Sequence, residues 1–342
     1  MHVPDGFFDA PVSVAGGAIA VTAVAVSLRG ARRELAERTA GGAPGGGAER
    51  LAPLAGLVAA FVFAVQMLNF PVGAGTSGHL MGGALAAILI GPHTGILVLS
   101  VVLTVQALLF ADGGLSALGI NITLLGVVAV VVAWGVFRLL LRLLPERRQT
   151  VTAASFTAAF VSVPAAAAVF TLLYAIGGTA DVPVGTVLGA MVGVHAAIGV
   201  GEGVITALTV GAVLAARPDL VHGMRRPAPV RRPARLVWIG GLAATLLCAA
   251  VVSGFASASP DGLEKVAGEH GLDEEEREHP LAGSWLEDYG VVNVDNERLS
   301  VGLAGIIGAG VTLTAATAAF TALRRNARER TDAPAERAAA GA

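Results

Sequence analysis

Residues 186–215 read TVLGAMVGVHAAIGVGEGVITALTVGAVLA, and Glu202 carries the only acidic or basic side chain among them apart from the imidazole of His195. A helix of about 20 mostly apolar residues is long enough to cross a bilayer. The stretch therefore predicts a membrane-spanning helix. Because His195 and Glu202 are seven positions apart, they fall on one face of that helix.

The whole chain has the same apolar character. Of its 342 residues, 54% are hydrophobic and 14% are charged, and the mean hydropathy is +0.72. A soluble protein has about 25% charged residues, so the composition predicts an integral membrane protein. The net charge of −2 gives no support for a nucleic-acid partner. The single cysteine, Cys248, excludes a disulfide framework within the chain, and no G-x-x-x-x-G-K-[ST] loop is present to bind a nucleotide phosphate.

Nine apolar segments predict an all-α fold, a bundle of seven spans followed by a two-span hairpin with an extracytoplasmic loop. The segments are 11–28, 51–69, 80–90, 94–110, 119–137, 151–176, 186–215, 236–255 and 299–322. The third is short for a full crossing, and glycine and proline at its flanks favour irregular backbone that other parts of the protein must cover.

The distribution of positive charge predicts the orientation of the spans. With the N-terminus outside, twenty of the 23 basic residues lie in inside loops, and only Lys265, Arg277 and Arg298 lie outside. The residues before the first span include Asp5 and Asp9 but no basic residue, which argues against a cleaved signal peptide. We therefore expect Met1 to be retained with a free amine.

Composition also divides the chain into four parts. Residues 1–223 form the seven-span unit, and 224–235 form a cytoplasmic linker rich in Pro and Arg. Residues 236–325 form the two-span hairpin, whose outside loop is strongly acidic. The tail 326–342 and the glycine-rich segment 41–47 are expected to be disordered, the tail on the cytoplasmic side.

The first residues, Met1-His2-Val3-Pro4-Asp5-Gly6, can form a metal chelate. An N-terminal amine has a pKa of about 8 and can offer a lone pair near neutral pH. The amide nitrogen and the imidazole of His2 lie within reach of the same ion, and a planar set of nitrogens suits Cu(II) or Ni(II), and less well Co(II). His79, on a glycine-rich loop of the same side, can supply a fourth nitrogen. The alternatives are a solvated side chain at His2 and an ordinary hydrogen-bonding loop residue at His79.

Several polar residues lie at membrane depth, where such side chains usually face the bundle interior. They are interpreted as groups that support the metal site or couple it to transport, with interhelical hydrogen bonding as the alternative. These residues are Gln66, Asn69, Gln106, Asn121, His195 and Glu202. A stand-alone cation- or proton-coupled carrier, with Glu202 and His195 as a relay, is a second functional hypothesis. A membrane metalloenzyme is disfavoured because there is neither an HExxH motif nor a nucleophile–base pair.

The N-terminal motif and four later segments resemble the cobalt/nickel substrate-binding membrane component of energy-coupling factor transporters. Residues 260–264, Pro-Asp-Gly-Leu-Glu, are similar to the PDGLE signature of the small two-span companion component, so the two components look fused here. The matching segments of the larger component are 1–6, 75–83, 105–114, 119–121 and 195–203.

The resemblance implies a helical bundle into which the N-terminus dips from outside. It implies a near square-planar site made by the Met1 amine, the amide nitrogen and imidazole of His2, and the imidazole of His79. The transported substrate would be Co²⁺ or Ni²⁺, with no permanently bound cofactor and no catalytic residues. The implied partners are a transmembrane coupling subunit and two cytoplasmic ATPase subunits, in the plasma membrane of a prokaryote. Nitrogen donors suit both metals, so the choice between them stays open.

Overall fold

The computed structural model of the protein describes residues 1–40, 47–73, 75–145, 147–224 and 234–340. In these ranges the chain is mostly helical, as its composition predicts. The helices are α1 (Ala10–Ala40), α2 (Gly47–Gln66), α3 (Gly83–Ile90), α4 (Pro92–Leu109), α5 (Leu118–Asn121), α6 (Ala129–Leu143), α7 (Arg148–Gly177), α8 (Val184–Ala216), α9 (Ala234–Ala250), α10 (Gly262–His270) and α11 (Glu297–Ala340). Most of the predicted linker 224–235 and of the segment 41–47 lies outside the described residues.

Each of the nine predicted segments contains a helix, but the helices differ in length. Six helical stretches are long and apolar enough to cross a membrane: Ala10–Glu34, Pro92–Leu109, Leu118–Leu143, Arg148–Gly177, Val184–Ala216 and Glu297–Arg325. Two further apolar stretches, Ala52–Gln66 and Arg235–Ala250, are shorter. The third segment contributes only the eight residues of α3, about 12 Å of helix, against a hydrocarbon core of about 30 Å.

The third segment is covered by protein, as irregular backbone at membrane depth must be. Every residue of α3 is buried, and so are residues 78–82, the non-helical backbone that leads into it. The preceding loop forms a small antiparallel hairpin of β1 (Phe70–Gly73) and β2 (Thr76–Gly78). This segment was predicted as a glycine-rich loop between spans, and the hairpin forms there because Pro71 and a run of glycines oppose a helix.

One long helical stretch changes its winding beside the N-terminus. Residues Leu118–Leu143 run through α5, a π-helical turn at Ile122–Val128, and α6. Single π-helical turns inside α-helices are frequent at functional sites because they redirect side chains. Asn121, the last residue of α5, lies directly before this turn.

The C-terminal hairpin packs against the first unit through small residues. A Cβ atom on Gly308 of α11 would lie 2.1 Å from Cζ of Phe63 on α2, and one on Gly56 would lie 2.0 Å from Oγ1 of Thr317. Between α9 and α11, a Cβ atom on Gly305 would lie 2.4 Å from the carbonyl oxygen of Ala249. Glycine at these positions lets the helices approach closely, which is how helices associate within a bilayer.

The C-terminal tail differs from its expectation. Helix α11 continues to Ala340, through most of the stretch 326–342 for which disorder was expected. Ala, Arg and Glu are strong helix formers and are abundant in that stretch, which favours continuation of the helix, whereas Pro334 opposes it.

Candidate metal centre

The first residues of the chain are buried and held by backbone hydrogen bonds. The side-chain amide of Asn121 binds both sides of Val3: its Oδ1 accepts from the Val3 amide at 2.8 Å, and its Nδ2 donates to the Val3 carbonyl at 3.0 Å. The Gly114 amide donates to the same carbonyl at 2.9 Å. Val3 is fully buried, so these bonds satisfy polar groups that water cannot reach.

A second anchor follows at Asp5. Its carboxylate accepts hydrogen bonds from the amides of Leu115 and Ser116 and from the Ser116 hydroxyl. A Cβ atom on Gly114 would lie 2.3 Å from the Asp5 amide nitrogen, so glycine is needed where the two segments cross. Asp5 thus fixes the register of the N-terminal segment and thereby the position of Met1.

The structure brings the three predicted ligand residues together. The Met1 amine lies 2.5 Å from Nε2 of His79, and the His2 and His79 rings stack with centroids 5.0 Å apart and planes inclined by 7°. Nδ1 of His79 lies 3.1 Å from the Leu80 carbonyl oxygen. A carbonyl only accepts, so this bond assigns the proton to Nδ1 and leaves the lone pair of Nε2 directed at the amine.

A carboxylate from the C-terminal hairpin reaches the same point. Oδ2 of Asp261 lies 2.9 Å from the Met1 amine and 3.4 Å from Nε2 of His79. Burial acts to raise the pKa of Asp261, but the N-terminal ammonium and His79 outweigh burial and hold that pKa well below its usual range. Burial and the neighbouring ammonium both lower the pKa of His79, which favours the neutral ring that a metal ion requires.

A second carboxylate binds the other imidazole. Oδ1 of Asp112 lies 3.0 Å from Nδ1 of His2, while Nε2 of His2 has no hydrogen-bond partner among the described residues. Burial opposes ionisation of Asp112, but the charge and hydrogen bond of His2 lower its pKa to about 2. The hydroxyl of Tyr289, from the C-terminal hairpin, donates to the other oxygen of Asp112 at 2.5 Å.

Two of the predicted supporting residues form hydrogen bonds with the backbone that follows His79. Glu202 on α8 accepts hydrogen bonds from the amides of Met81, at 2.8 Å, and Gly82, at 3.1 Å. Gln66 on α2 donates to the Met81 carbonyl at 2.9 Å. These bonds fix the backbone two residues after His79, so Glu202 and Gln66 position that imidazole without touching it.

The other predicted supporting residues lie around the centre in different roles. Asn69 lines the cavity beside it, and Gln106 donates to the Tyr289 hydroxyl at 3.0 Å. Nδ1 of His195 lies 2.8 Å from the Met191 carbonyl oxygen. The same ring packs against the start of α10, where a Cβ atom on Gly262 would lie 3.1 Å from Cε1 of His195. In the described part of the chain no hydrogen bond joins His195 to Glu202, as a relay would require.

Sequence reasoning missed four residues of this centre: Asp5, Asp112, Asp261 and Tyr289. Asp112 and Asp261 lie inside recognisable motifs, Ala-Asp-Gly-Gly and Pro-Asp-Gly-Leu-Glu, but nothing in their spacing from Met1 shows that they meet it. In the part of the chain that the structure describes, no three His, Cys, Asp or Glu side chains are grouped to hold a metal ion.

A cavity of about 400 Å³ lies beside His2 and His79 and is covered by the loop between α9 and α11. His2, His79, Asp112 and Asp261 form part of its wall. Asp288 and Tyr289 of the covering loop have φ angles of 49° and 58°, in the left-handed region that only glycine adopts freely. This turn brings the Tyr289 hydroxyl to Asp112.

Known proteins resemble this chain along most of its length. Residues 2–220 match the family described as the cobalt uptake substrate-specific transmembrane region, and residues 235–325 match the PDGLE domain. The fused nickel transport protein NikMN of Rhodobacter capsulatus is 32% identical over 72% of this chain and 71% of its own length. The cobalt transport protein CbiM of Sorangium cellulosum is 32% identical over 66% of this chain and 96% of its own length.

A solved structure also aligns with the chain. A crystal structure of a truncated transition metal transporter superposes with a TM-score of 0.52 at 28% identity, covering 63% of this chain and 99% of that one. The part of this chain that it covers is similar in extent to the match with the cobalt uptake family.

Proposed function

The chain belongs to the cobalt uptake substrate-specific transmembrane family and carries a PDGLE domain, and on this premise we propose that it is the metal-binding component of an energy-coupling factor transporter for Co²⁺ or Ni²⁺. Its relatives are named as cobalt or nickel transport proteins. The proposal divides the chain into a metal-binding unit, 1–223, a linker, 224–235, a PDGLE unit, 236–325, and a tail.

One observation carries the proposed metal site: the Met1 amine, the His2 ring and the His79 ring meet in one buried place. Two nitrogens bound to one ion at about 2.0–2.1 Å in neighbouring positions of a square lie about 2.9 Å apart. The amine and Nε2 of His79 are already within 2.5 Å, so a small separation of the two admits an ion.

The proposed chelate uses four nitrogens. The Met1 amine and the His2 amide nitrogen would close one ring with the ion, and the His2 amide nitrogen and Nδ1 would close a second. Each of these nitrogens must present a lone pair, so binding releases to solvent the extra proton of the Met1 ammonium, the His2 amide proton and the proton that Nδ1 shares with Asp112. In the metal-free protein Nδ1 of His2 binds Asp112 and the amine binds Asp261. Metal binding exchanges both contacts for bonds to the ion, while the two carboxylates stay nearby to balance its charge.

The direction of transport and the partners follow from the same proposal. The positive-inside distribution of arginine supports an orientation in which Met1, His79 and the loop 256–298 lie on the extracytoplasmic side of a prokaryotic plasma membrane. The family resemblance implies a transmembrane coupling subunit and two cytoplasmic ATPase subunits that hydrolyse ATP, and the absence of a P-loop motif from this sequence agrees with that division. Metal transport by the purified chain alone in vesicles would contradict this division.

The proposed site is tested by lengthening the N-terminus. Adding Gly-Ser before Met1 converts the amine to an amide and inserts bulk into a buried pocket, so binding of Ni²⁺ and Co²⁺ should be lost. The matched control carries the same two residues after Ala342. Binding is measured on the full chain by competition with a coloured chelator. Equal affinity of the two extended proteins would refute the N-terminal site.

A further inference from the structure

A second, open cavity of about 960 Å³ lies between α6 and the residues that follow α8. Two arginines, Arg138 and Arg142, line it together with Trp134 and His222, and its described lining contains no Asp or Glu. This end of α6 is the opposite end of the stretch Leu118–Leu143 from Asn121. In the orientation given under the proposed function, on which this inference rests, the cavity opens to the cytoplasmic side.

The guanidinium of Arg138 has a fixed position in this cavity. Its Nη1 donates to the Gly223 carbonyl at 2.9 Å, and its central carbon lies 5.6 Å from the centre of the Trp134 ring. Gly223 has a φ of 84°, and a Cβ atom on it would lie 2.7 Å from the Trp134 ring, so glycine is needed for this contact. Arg138 precedes Leu143, the end of the apolar stretch, by about 7.5 Å of helix.

The positive charges at the cavity have no carboxylate partner in the described part of the chain. Apart from the bond to Gly223, the N–H groups of Arg138 make no hydrogen bond with described residues, and they are not enclosed by protein. Arg142 is exposed and makes neither a hydrogen bond nor an ion pair with those residues. Because a charge within a spanning segment is costly unless it is paired, an anion is favoured here.

The spacing of the two arginines suits one phosphate group. They are four residues apart, so their Cβ atoms lie about 6 Å apart on one face of α6. Each guanidinium presents a planar pair of N–H donors that matches two oxygens of a phosphate. Gly135 lies on the same face, and no atom lies within 4 Å of its Cβ position, so the space beside Arg138 is open.

The surroundings favour a phosphate that carries acyl chains. Val131, Leu139 and Leu143 on α6 are 54%, 54% and 70% exposed, and such side chains on a spanning helix face the hydrocarbon of the bilayer. Tryptophan is enriched where hydrocarbon meets the headgroups, as at Trp134. Anionic lipids give the cytoplasmic leaflet its negative potential, and basic pockets between helices on that side bind their headgroups.

We propose that this cavity binds the phosphate of an anionic glycerophospholipid of the cytoplasmic leaflet, with Arg138 and Arg142 as the donors and the exposed leucines of α6 along its acyl chains. Arg138 is the fixed donor, and the more exposed Arg142 reaches the same phosphate from the next turn. The bound lipid contacts both α6 and residues 222–224, so it joins the two elements at this end of the bundle.

The test is a titration of the purified full chain with phosphatidylglycerol, followed by native mass spectrometry, with phosphatidylcholine as the neutral comparison. The parent should prefer phosphatidylglycerol, and Arg138→Gln/Arg142→Gln should bind it about 30-fold more weakly. The matched control is Arg147→Gln/Arg148→Gln, which removes the same charge from exposed residues outside the cavity lining and should bind within about threefold of the parent.

Arg142→Gln alone removes an exposed side chain, so its effect does not depend on altered folding; it should weaken binding about fivefold. Equal phosphatidylglycerol binding by the cavity variant and the control variant would overturn the proposal, because the attraction would then be general. Displacement of the lipid by an equal concentration of inorganic phosphate would also overturn it. So would variants that bind the lipid like the parent but no longer co-purify with the coupling subunit, because the cavity would then dock a protein.

The metal site and the lipid site can fail separately. They lie at opposite ends of the stretch Leu118–Leu143, and Asn121 and Arg138 are about 25 Å apart along it. The N-terminally extended protein should lose Ni²⁺ binding and keep its affinity for phosphatidylglycerol. Arg142→Gln should show the reverse, and an unchanged phosphatidylglycerol affinity in this variant would count against the lipid site alone.

Discussion

Replacing Asn121 with Ala should weaken metal binding, because this side chain fixes the N-terminal segment without touching any proposed ligand. Its amide binds both the N–H and the carbonyl of Val3, two residues from Met1. Without these bonds the amine is no longer held opposite His79, and part of the binding energy must be used to order the segment.

The size of the effect follows from the bonds that are lost. Val3 is fully buried, so its N–H is left unsatisfied in the variant at a cost of about 1–3 kcal/mol. The Val3 carbonyl keeps its bond from the Gly114 amide, so the second loss is about 1 kcal/mol. The total of about 2–4 kcal/mol corresponds to an affinity about 30-fold to about 700-fold lower.

The assay is a competition titration of Ni²⁺ on the purified full chain, with thermal unfolding recorded in parallel. Thr123→Val is the matched control: it removes a buried hydrogen bond to the Gly16 carbonyl from the same helical stretch, away from residues 1–6. Its affinity should stay within about threefold of the parent. If Asn121→Ala binds as tightly as Thr123→Val, the segment is not positioned in this way.

Two further substitutions test the hydrogen bonds of Glu202 near the site and the packing of α11 against α2. Glu202→Gln puts an NH₂ group against one of the two backbone amides after His79, so Ni²⁺ affinity should fall about tenfold in the same titration; an unchanged affinity would show that the loop does not depend on this carboxylate. Gly308→Leu pushes a side chain into Phe63 and should lower the unfolding temperature, whereas Gly310→Leu, with no atom within 4 Å of its Cβ position, should leave it unchanged. Equal unfolding temperatures for these two variants would contradict the tight packing of α11 on α2.

Hydrophobic runs decide where helices form, and this part of the fold follows from sequence. All nine predicted segments contain helices because a span must satisfy its backbone internally, whatever its neighbours do. The hairpin at Phe70–Gly78 and the helical tail were not predicted. Both depend on the conformational preferences of individual residues, which a hydropathy pattern does not contain. Glycine and proline favour the turn of the hairpin, and Ala, Arg and Glu favour helix in the tail.

For the candidate site, the order of the spans predicts which residues lie on the same side of the bundle, but not which side chains touch. Met1 and His79 fall on one side of the bundle when spans are counted, and the structure places them in contact. The direction in which Nδ1 of His2 points is set by Asp112, and Asp112 is held by Tyr289 from a loop far along the chain. No single-chain pattern encodes that contact, since it depends on how the hairpin loop folds back over the cavity.

The side chain of Asp261 contacts both the start of α10 and the Met1 amine. Oδ1 of Asp261 accepts from the amides of Leu263 and Glu264 and so caps α10, while its Oδ2 binds the Met1 amine. Glu264 in turn accepts from the Asp261 amide, which completes a capping box worth about 1 kcal/mol to the helix start. A displacement of α10 that keeps this cap must carry Asp261 with it and break the amine contact. Movement of α10 with its cap intact therefore releases the amine, and a metal ion that takes the amine removes one of the contacts that hold α10 in place.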